Sequence, residues 1–235
     1  MDDQLKEFER DLRERALTYS FLARMLSDEE VGVDFLRQLA AEVPSTGTEL
    51  DAFAASLSAA DLDAVRRELA ADHSSCLLGM SAHPVSPFES VHTSDKQLMM
   101  QDSRDEVVHA YAQSGFAKAG EYHVPEDHVS LELDFMAGLG MRAANAVAEV
   151  LGGSLDDADA AARIADAERD TNAQLDFLEK HLLVWVPGFC DELEKWAATP
   201  LYRGAAQMLR AFLDQERAYL EQLNVAQTAG APAAE

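Results

Sequence analysis

The stretch Val124-Pro125-Glu126-Asp127-His128-Val129-Ser130-Leu131-Glu132-Leu133-Asp134-Phe135-Met136 sets a proline, two acids and a histidine directly before an apolar helical pattern. Proline at a first helical position loses only an amide that has no intrahelical partner. Glu126 and Asp127 then fall where the helix dipole is positive. The motif predicts a helix that starts at Pro125 and runs to about Leu151, where Gly152-Gly153 breaks it. His128 gains nothing from a first-turn position and would stack one turn below Glu132 on the same face. Read this way, the histidine has no helical purpose.

Helical signals continue in both directions from this motif. Leu5, Phe8, Leu12, Ala16, Tyr19, Leu22, Ala23 and Leu26 recur at spacings of three and four, the stripe of an amphipathic helix. Ser27 and Ser58 open cap-like tetrads ahead of Phe35, Leu36, Leu39 and of Leu62, Val65, Leu69. Gly79 to Ser90 carries Pro84 and Pro87 and reads as a loop. Ser94 can cap a helix to about Ser114, and Ser154 another whose stripe runs from Ile164 to Trp185 and stops at Pro187-Gly188. Thr199-Pro200 opens the last helix. No run of alternating β-branched residues is present. The expected fold is an all-α, multi-helix globular bundle of two closely packed helical subdomains. Residues 1–120, with a Pro-rich loop at 79–93, form one and residues 121–224 the other, with a hinge near 115–124 and a small, polar, disordered tail at 225–235.

Composition narrows the function. The 235 residues are 48% apolar, with 43 acidic against 19 Lys and Arg and a formal net charge of −24. Nucleic acid and anionic membrane surfaces would be repelled and a basic partner attracted. Cys76 and Cys190 stand far apart without a CxxC or Cys/His cluster, which argues for a reducing compartment and against a structural zinc site. The charged N-terminus lacks a signal-peptide core, and no stretch approaches the ~18 apolar residues of a membrane span. The expectation is a cytoplasmic protein without stable membrane insertion.

Catalytic machinery is not visible. There is no GxSxG elbow, no GxGxxG and no phosphate-cradling GxxxxGK[ST]. One enzyme reading is open: Glu89-Ser-Val-His92 and Glu106-Val-Val-His109 are two ExxH elements of the kind that hold a di-metal centre in a helical bundle. They are only 17 positions apart, and the first follows a Pro-rich loop, which fits that architecture poorly.

Pro87-Phe88-Glu89-Ser90-Val91, then Leu98-Met99, then Pro125-Glu126-Asp127-His128 with Leu131-Glu132-Leu133-Asp134-Phe135-Met136, closely resembles the TorD/DmsD/NarJ-like family of molybdoenzyme maturation chaperones. Weaker similarity covers Tyr19 to Leu26 and Phe177 through Cys190. One segment departs from the family pattern: an aromatic-rich stretch is replaced by Asp72-His-Ser-Ser-Cys-Leu-Leu-Gly-Met80, of which Leu77 and Gly79 survive.

The resemblance implies an all-helical, non-catalytic cytoplasmic chaperone without a cofactor. Its partner would be the apo form of a molybdenum oxidoreductase catalytic subunit and that subunit's twin-arginine leader, held until the molybdenum cofactor is inserted. It also assigns leader binding to Asp127 and His128; the helix-start geometry adds the expectation that Asp127 receives an arginine and that His128 is oriented by Glu132, the alternative for His128 being a cap-region residue hydrogen-bonded to Glu132 or Asp127. Pro87, Phe88, Glu89, Ser90 and Glu126 join them as candidate leader-binding residues, since loops between helices tend to carry function.

Overall fold

A computed structural model describes residues 2–42, 45–120 and 123–230, with the side chains of 225–230 left aside. The described chain is a succession of helices: α1 (Asp2–Met25), α2 (Val33–Ala41), α3 (Glu49–Ser56), α4 (Leu62–Cys76), α5 (Glu89–Thr93), α6 (Asp102–Gln113), α7 (Val129–Leu151), α8 (Asp157–Phe177), α9 (Leu183–Trp196) and α10 (Pro200–Gly230). Among the described residues there is no strand, and the fold class is all-α as expected.

The bundle is organised around α7, which packs against α1 on one side and α8 on the other. Its sequence permits this because small residues line the contacts. A Cβ on Gly140 would lie 3.3 Å from the Cβ of Ala16 and 3.0 Å from Nε2 of Gln174, so the three helices approach as closely as a bare backbone allows. The same device recurs where α10 meets α3: a Cβ on Gly204 would lie 2.5 Å from the backbone nitrogen of Leu50. Around these contacts Tyr19, Leu22, Leu133, Met136, Phe177, Leu182, Trp185, Leu201 and Tyr202 form one buried cluster, drawn from both sides of residue 120. Each fully buried aliphatic side chain contributes ~1.5–3 kcal/mol relative to exposure.

Ion pairs fasten the helices laterally. Arg142 on α7 donates two 2.7 Å hydrogen bonds to buried Asp170 on α8 and a third, at 2.8 Å, to the carbonyl of Ser114, which holds the end of α6 to both. Arg15 on α1 pairs with buried Glu216 on α10 and lies over the Tyr219 ring at 3.7 Å.

Several boundaries differ from the sequence reading. Helix α7 begins at Val129, not Pro125, because His128 is held in extended conformation by pairing with Phe88 and is itself the N-cap. Its Nδ1 accepts from the amide of Ser130 at 3.2 Å, so the histidine serves as a cap, bonded to Ser130 and not to Glu132 or Asp127. Pro125 to His128 form a turn closed by a 3.2 Å bond from His128 N to Pro125 O.

Asp61 and Asp156, not the serines upstream of them, cap α4 and α8. Helix α2 starts from Gly32 without a side-chain cap. Ser94 ends α5 rather than starting a helix, and Gln97 and Met100 lie at positive φ (51° and 61°) before α6 begins at Asp102. Pro187 lies inside α9, just after a wide π-type turn at Leu178–Leu182 that links α8 to α9 without a break. Helix α10 continues through Gly230, past the expected disordered start at 225, and 231–235 lie outside the described residues.

Candidate functional site

The two motifs that looked separate in sequence are joined in space. Phe88 and His128 form an isolated antiparallel bridge, in which Val129 N donates to Pro87 O at 2.8 Å and Glu89 N donates to Asp127 O at 3.0 Å. Side chains reinforce the backbone pairing. The Asp127 carboxylate accepts from the amide of Ser90 at 2.9 Å and from the Ser90 hydroxyl by a short bond. Ser90 Oγ also receives Gln101 N and Ser103 Oγ, at 3.2 and 3.3 Å, so one serine gathers three segments.

Behind this clasp lies a buried polar layer. Glu89, only 2% exposed, sits 3.0 Å from Nδ1 of His181, which the π-type turn between α8 and α9 presents. Glu132 accepts from Trp185 Nε1 at 3.1 Å. Burial, and then the charge of Glu89 beside it, push the Glu132 carboxyl well above its ordinary range. Burial and the neighbouring His73 push His128 down to about 3, so this imidazole is neutral and serves as an acceptor cap.

The seven candidate residues therefore fall into distinct places. Asp127 is fully buried and turned toward Ser90, not offered to an arginine. His128 is fixed by Ser130, not by the Glu132 side chain. Glu126 holds Arg104 at 2.7 Å and Lys118 at 3.2 Å. Burial pushes its carboxyl up, but its own amide and these two cations outweigh that effect and hold it below the usual value. Glu89 and Ser90 belong to the clasp. Pro87, Phe88 and His128 line an open surface, although Pro87 and His128 are themselves buried and only Phe88 and Glu126 of the seven are part-exposed.

That surface is a cleft of about 440 Å³. Leu77, Leu78, Pro84, Pro87, Phe88, Val91 and Met99 make its walls mostly apolar, and Asp28, His73 and His128 add polar groups. The segment that departs from the family pattern supplies one wall. Asp72 anchors it by accepting from Ala198 N (3.0 Å), Thr199 N (2.7 Å) and Thr199 Oγ1 (2.6 Å), which pins the end of α4 to the α9–α10 turn. Gly79, at φ +75°, then turns the chain along the cleft. Two of its large apolar side chains stand open, Leu78 at 49% exposed and Met99 at 44%, and their sequence neighbours Met80, Leu98 and Met100 are more exposed still. Sequence reasoning placed Leu98 and Met99 in a motif but missed Leu78, Met80, Met100, His73 and Asp28. No periodic or turn signal marks such residues; only tertiary structure gathers them.

The di-metal alternative does not assemble. Glu89 faces His181, His92 bonds Ser86 O at 2.7 Å, and Glu106 and His109 lie exposed on α6. Cys76 and Cys190 are buried free thiols, both pushed up to about 12 chiefly by burial, which leaves them unreactive as nucleophiles.

Fold and cleft define an all-helical protein with an open apolar groove framed by a cross-chain clasp. The chain belongs to the family described as nitrate reductase delta subunit, whose profile matches residues 37–191 and so takes in both motifs. It is similar to the protein named Chaperone protein TorD of Vibrio cholerae serotype O1 (strain ATCC 39315 / El Tor Inaba N16961), with 30% identity over 156 residues, 66% of this chain and 64% of the relative. Proteins of the same name from Photobacterium profundum (26% over 153 residues, 65% of this chain and 64% of the relative) and Aliivibrio fischeri (26% over 190 residues, 79% and 80%) are also similar. The chain thus spans just under two thirds of the length of the first of these relatives. No solved structure gives a significant match.

Proposed function

We propose that this protein is a non-catalytic chaperone for a molybdenum oxidoreductase, and that it holds the twin-arginine leader of the apo catalytic subunit in the cleft beside Phe88 and His128. The relatives' name supports the chaperone class. The observation that carries the leader assignment is the cleft itself: apolar walls with exposed leucine and methionine at the rim, on a chain of net charge −24. Such a surface suits a segment that is apolar in the middle and basic at one end. Methionine side chains, flexible and polarisable, accommodate apolar partners of varied sequence.

In this reading Pro87, Phe88 and His128 contact the peptide, while Glu89, Ser90, Glu126 and Asp127 hold the loop that presents them. No helix among the described residues is long and apolar enough to cross a membrane, which accords with action before export. Calorimetric titration of the full chain with a synthetic twin-arginine leader tests the assignment. Saturable binding that is lost on Phe88→Ala supports it, and binding of the mature enzyme alone would replace the leader with another segment.

A further inference from the structure

Methionine is ordinarily a buried residue, yet Met80 is 76% exposed, Met100 57% and Met99 44%. The other described methionines behave differently. Met25 and Met136 are fully buried, Met208 packs against the core, and Met141 is half-buried with its sulfur accepting from Arg13 Nη1 at 3.2 Å. Among the described residues, open thioether groups are therefore confined to two segments, 78–80 and 98–100. Leu78 of the first and Met99 of the second both line the apolar cleft.

The backbone holds these side chains outward. Gln97 and Met100 occupy the left-handed region, at φ 51° and 61°, which a non-glycine residue adopts at a cost. The segment is anchored at both ends: Gln97 N donates to Ser94 O at 3.0 Å, and Gln101 N donates to Ser90 Oγ of the clasp at 3.2 Å. Met80 follows Gly79, at φ +75°, and its amide donates to Ser74 O at 3.1 Å. Main chain is fixed at each place while the thioether stays in water.

Leucine at 78 and 98 already supplies apolar surface beside these methionines. What sulfur adds is reaction with peroxides, which turns a flexible apolar side chain into a polar sulfoxide. A hydrophobic segment entering the cleft would then bury a sulfoxide oxygen without a donor, which is unfavourable. Competing thiols are out of reach, since Cys76 and Cys190 are buried and pushed up to about 12 chiefly by burial.

We propose that Met80, Met99 and Met100 form a reversible oxidation site, at which sulfoxide formation by a peroxide releases the bound leader and reduction restores binding. In the forward step the thioether sulfur attacks one peroxide oxygen and the O–O bond breaks. A sulfur–oxygen bond forms, and the departing hydroxide takes the remaining proton to leave as water; sulfur loses two electrons and the peroxide gains them. In the reverse step a dithiol, acting through a methionine sulfoxide reductase, takes the oxygen away as water and becomes a disulfide. The proposal rests on the leader-binding reading above and adds a regulation of that same cleft.

The test treats the full chain with dilute hydrogen peroxide, maps the oxidised residues by peptide mass spectrometry and titrates a synthetic twin-arginine leader by calorimetry before and after. Met80, Met99 and Met100 should oxidise ahead of Met25 and Met136, leader affinity should fall about tenfold, and thermal melting should be unchanged because the three side chains are exposed. Methionine sulfoxide reductase with a dithiol should restore the affinity. A variant carrying Met80→Leu, Met99→Leu and Met100→Leu is its own reference: its affinity with and without peroxide should agree within about twofold. Undiminished binding by wild type oxidised at all three positions, or an equal loss in the leucine variant, overturns the proposal and leaves the leader reading intact. Failure of the untreated wild-type chain to bind the leader overturns both.

Discussion

Asp127 and Ser90, 37 positions apart, are joined twice: the serine amide and the serine hydroxyl both donate to Oδ2 of a carboxylate with no solvent exposure. Burying a carboxylate is costly unless it is hydrogen-bonded; here both donors come from the loop that forms one side of the cleft and reach Oδ2, while Oδ1 is buried without a hydrogen-bond partner among the described residues. The pair is therefore a tether between α5 and the start of α7. Asp127→Ala removes the acceptor and leaves the Ser90 donors buried, at a cost of about 2–4 kcal/mol. Asp127→Asn keeps an acceptor but loses its charge, at a cost of about 1–2 kcal/mol. Urea unfolding checks both values. A variant as stable as wild type would show that the tether does not hold the loop.

His128 gives the fold a titratable cap. Its folded pKa of about 3 lies below the ordinary 6.5, so the unfolded chain binds more protons between these values. Stability attributable to this residue is present above pH ~6.5 and is lost progressively as pH falls toward ~3. Asn also accepts from the N2 amide at an N-cap but does not titrate. His128→Asn should therefore be less acid-labile than wild type across that window, once its neutral-pH stability is taken as the reference. Parallel pH-dependent melts of the two proteins measure the difference; superimposable curves would mean that the imidazole is not held neutral.

The helical class, the α1 and α10 stripes and the two short motifs PFES and PEDH could all be read from the sequence, because periodicity and short motifs are local. What the residues do inside the motifs could not be read. Asp127 looks like a first-turn acid, and only the long-range bridge between Phe88 and His128 turns it inward. That bridge also overrides the proline start signal and delays α7 to Val129. Pro187 looks like a terminator, yet it sits within α9 after a π-type turn. Asp28, His73 and Leu78 had no signature at all, since a cleft wall assembled from three turns has no period.

Glu132 carries the opposite pH signature to His128. Its folded pKa is raised by burial and by Glu89, so the folded state binds more protons than the unfolded one above the usual carboxylate value of 4.5. Stability from this residue is fully present below ~4.5 and declines as pH rises toward the folded pKa. Glu132→Gln keeps an oxygen to accept from Trp185 Nε1 and has no proton to lose. The variant should gain on wild type as pH rises above about 4.5, which differential scanning calorimetry would detect. Equal slopes would show that Glu132 is already ionised when folded.

The rim of the cleft separates binding from folding. Leu78 and Met99 are 49% and 44% exposed, so Leu78→Asp and Met99→Asp should each change stability by no more than about 0.5 kcal/mol. An added charge in an apolar groove must be desolvated when a hydrophobic segment enters, so each variant should weaken leader binding by about tenfold. Salt should act differently. Charge attraction between an exposed acidic surface and an arginine pair is screened within about 8 Å at physiological ionic strength, so affinity for the leader should fall from low to moderate salt in wild type and rim variants alike. If rim variants bind normally and salt alone matters, the apolar cleft is not the seat of the hydrophobic segment. If salt has no effect while the rim variants fail, apolar contact carries the affinity and the net charge of −24 serves solubility.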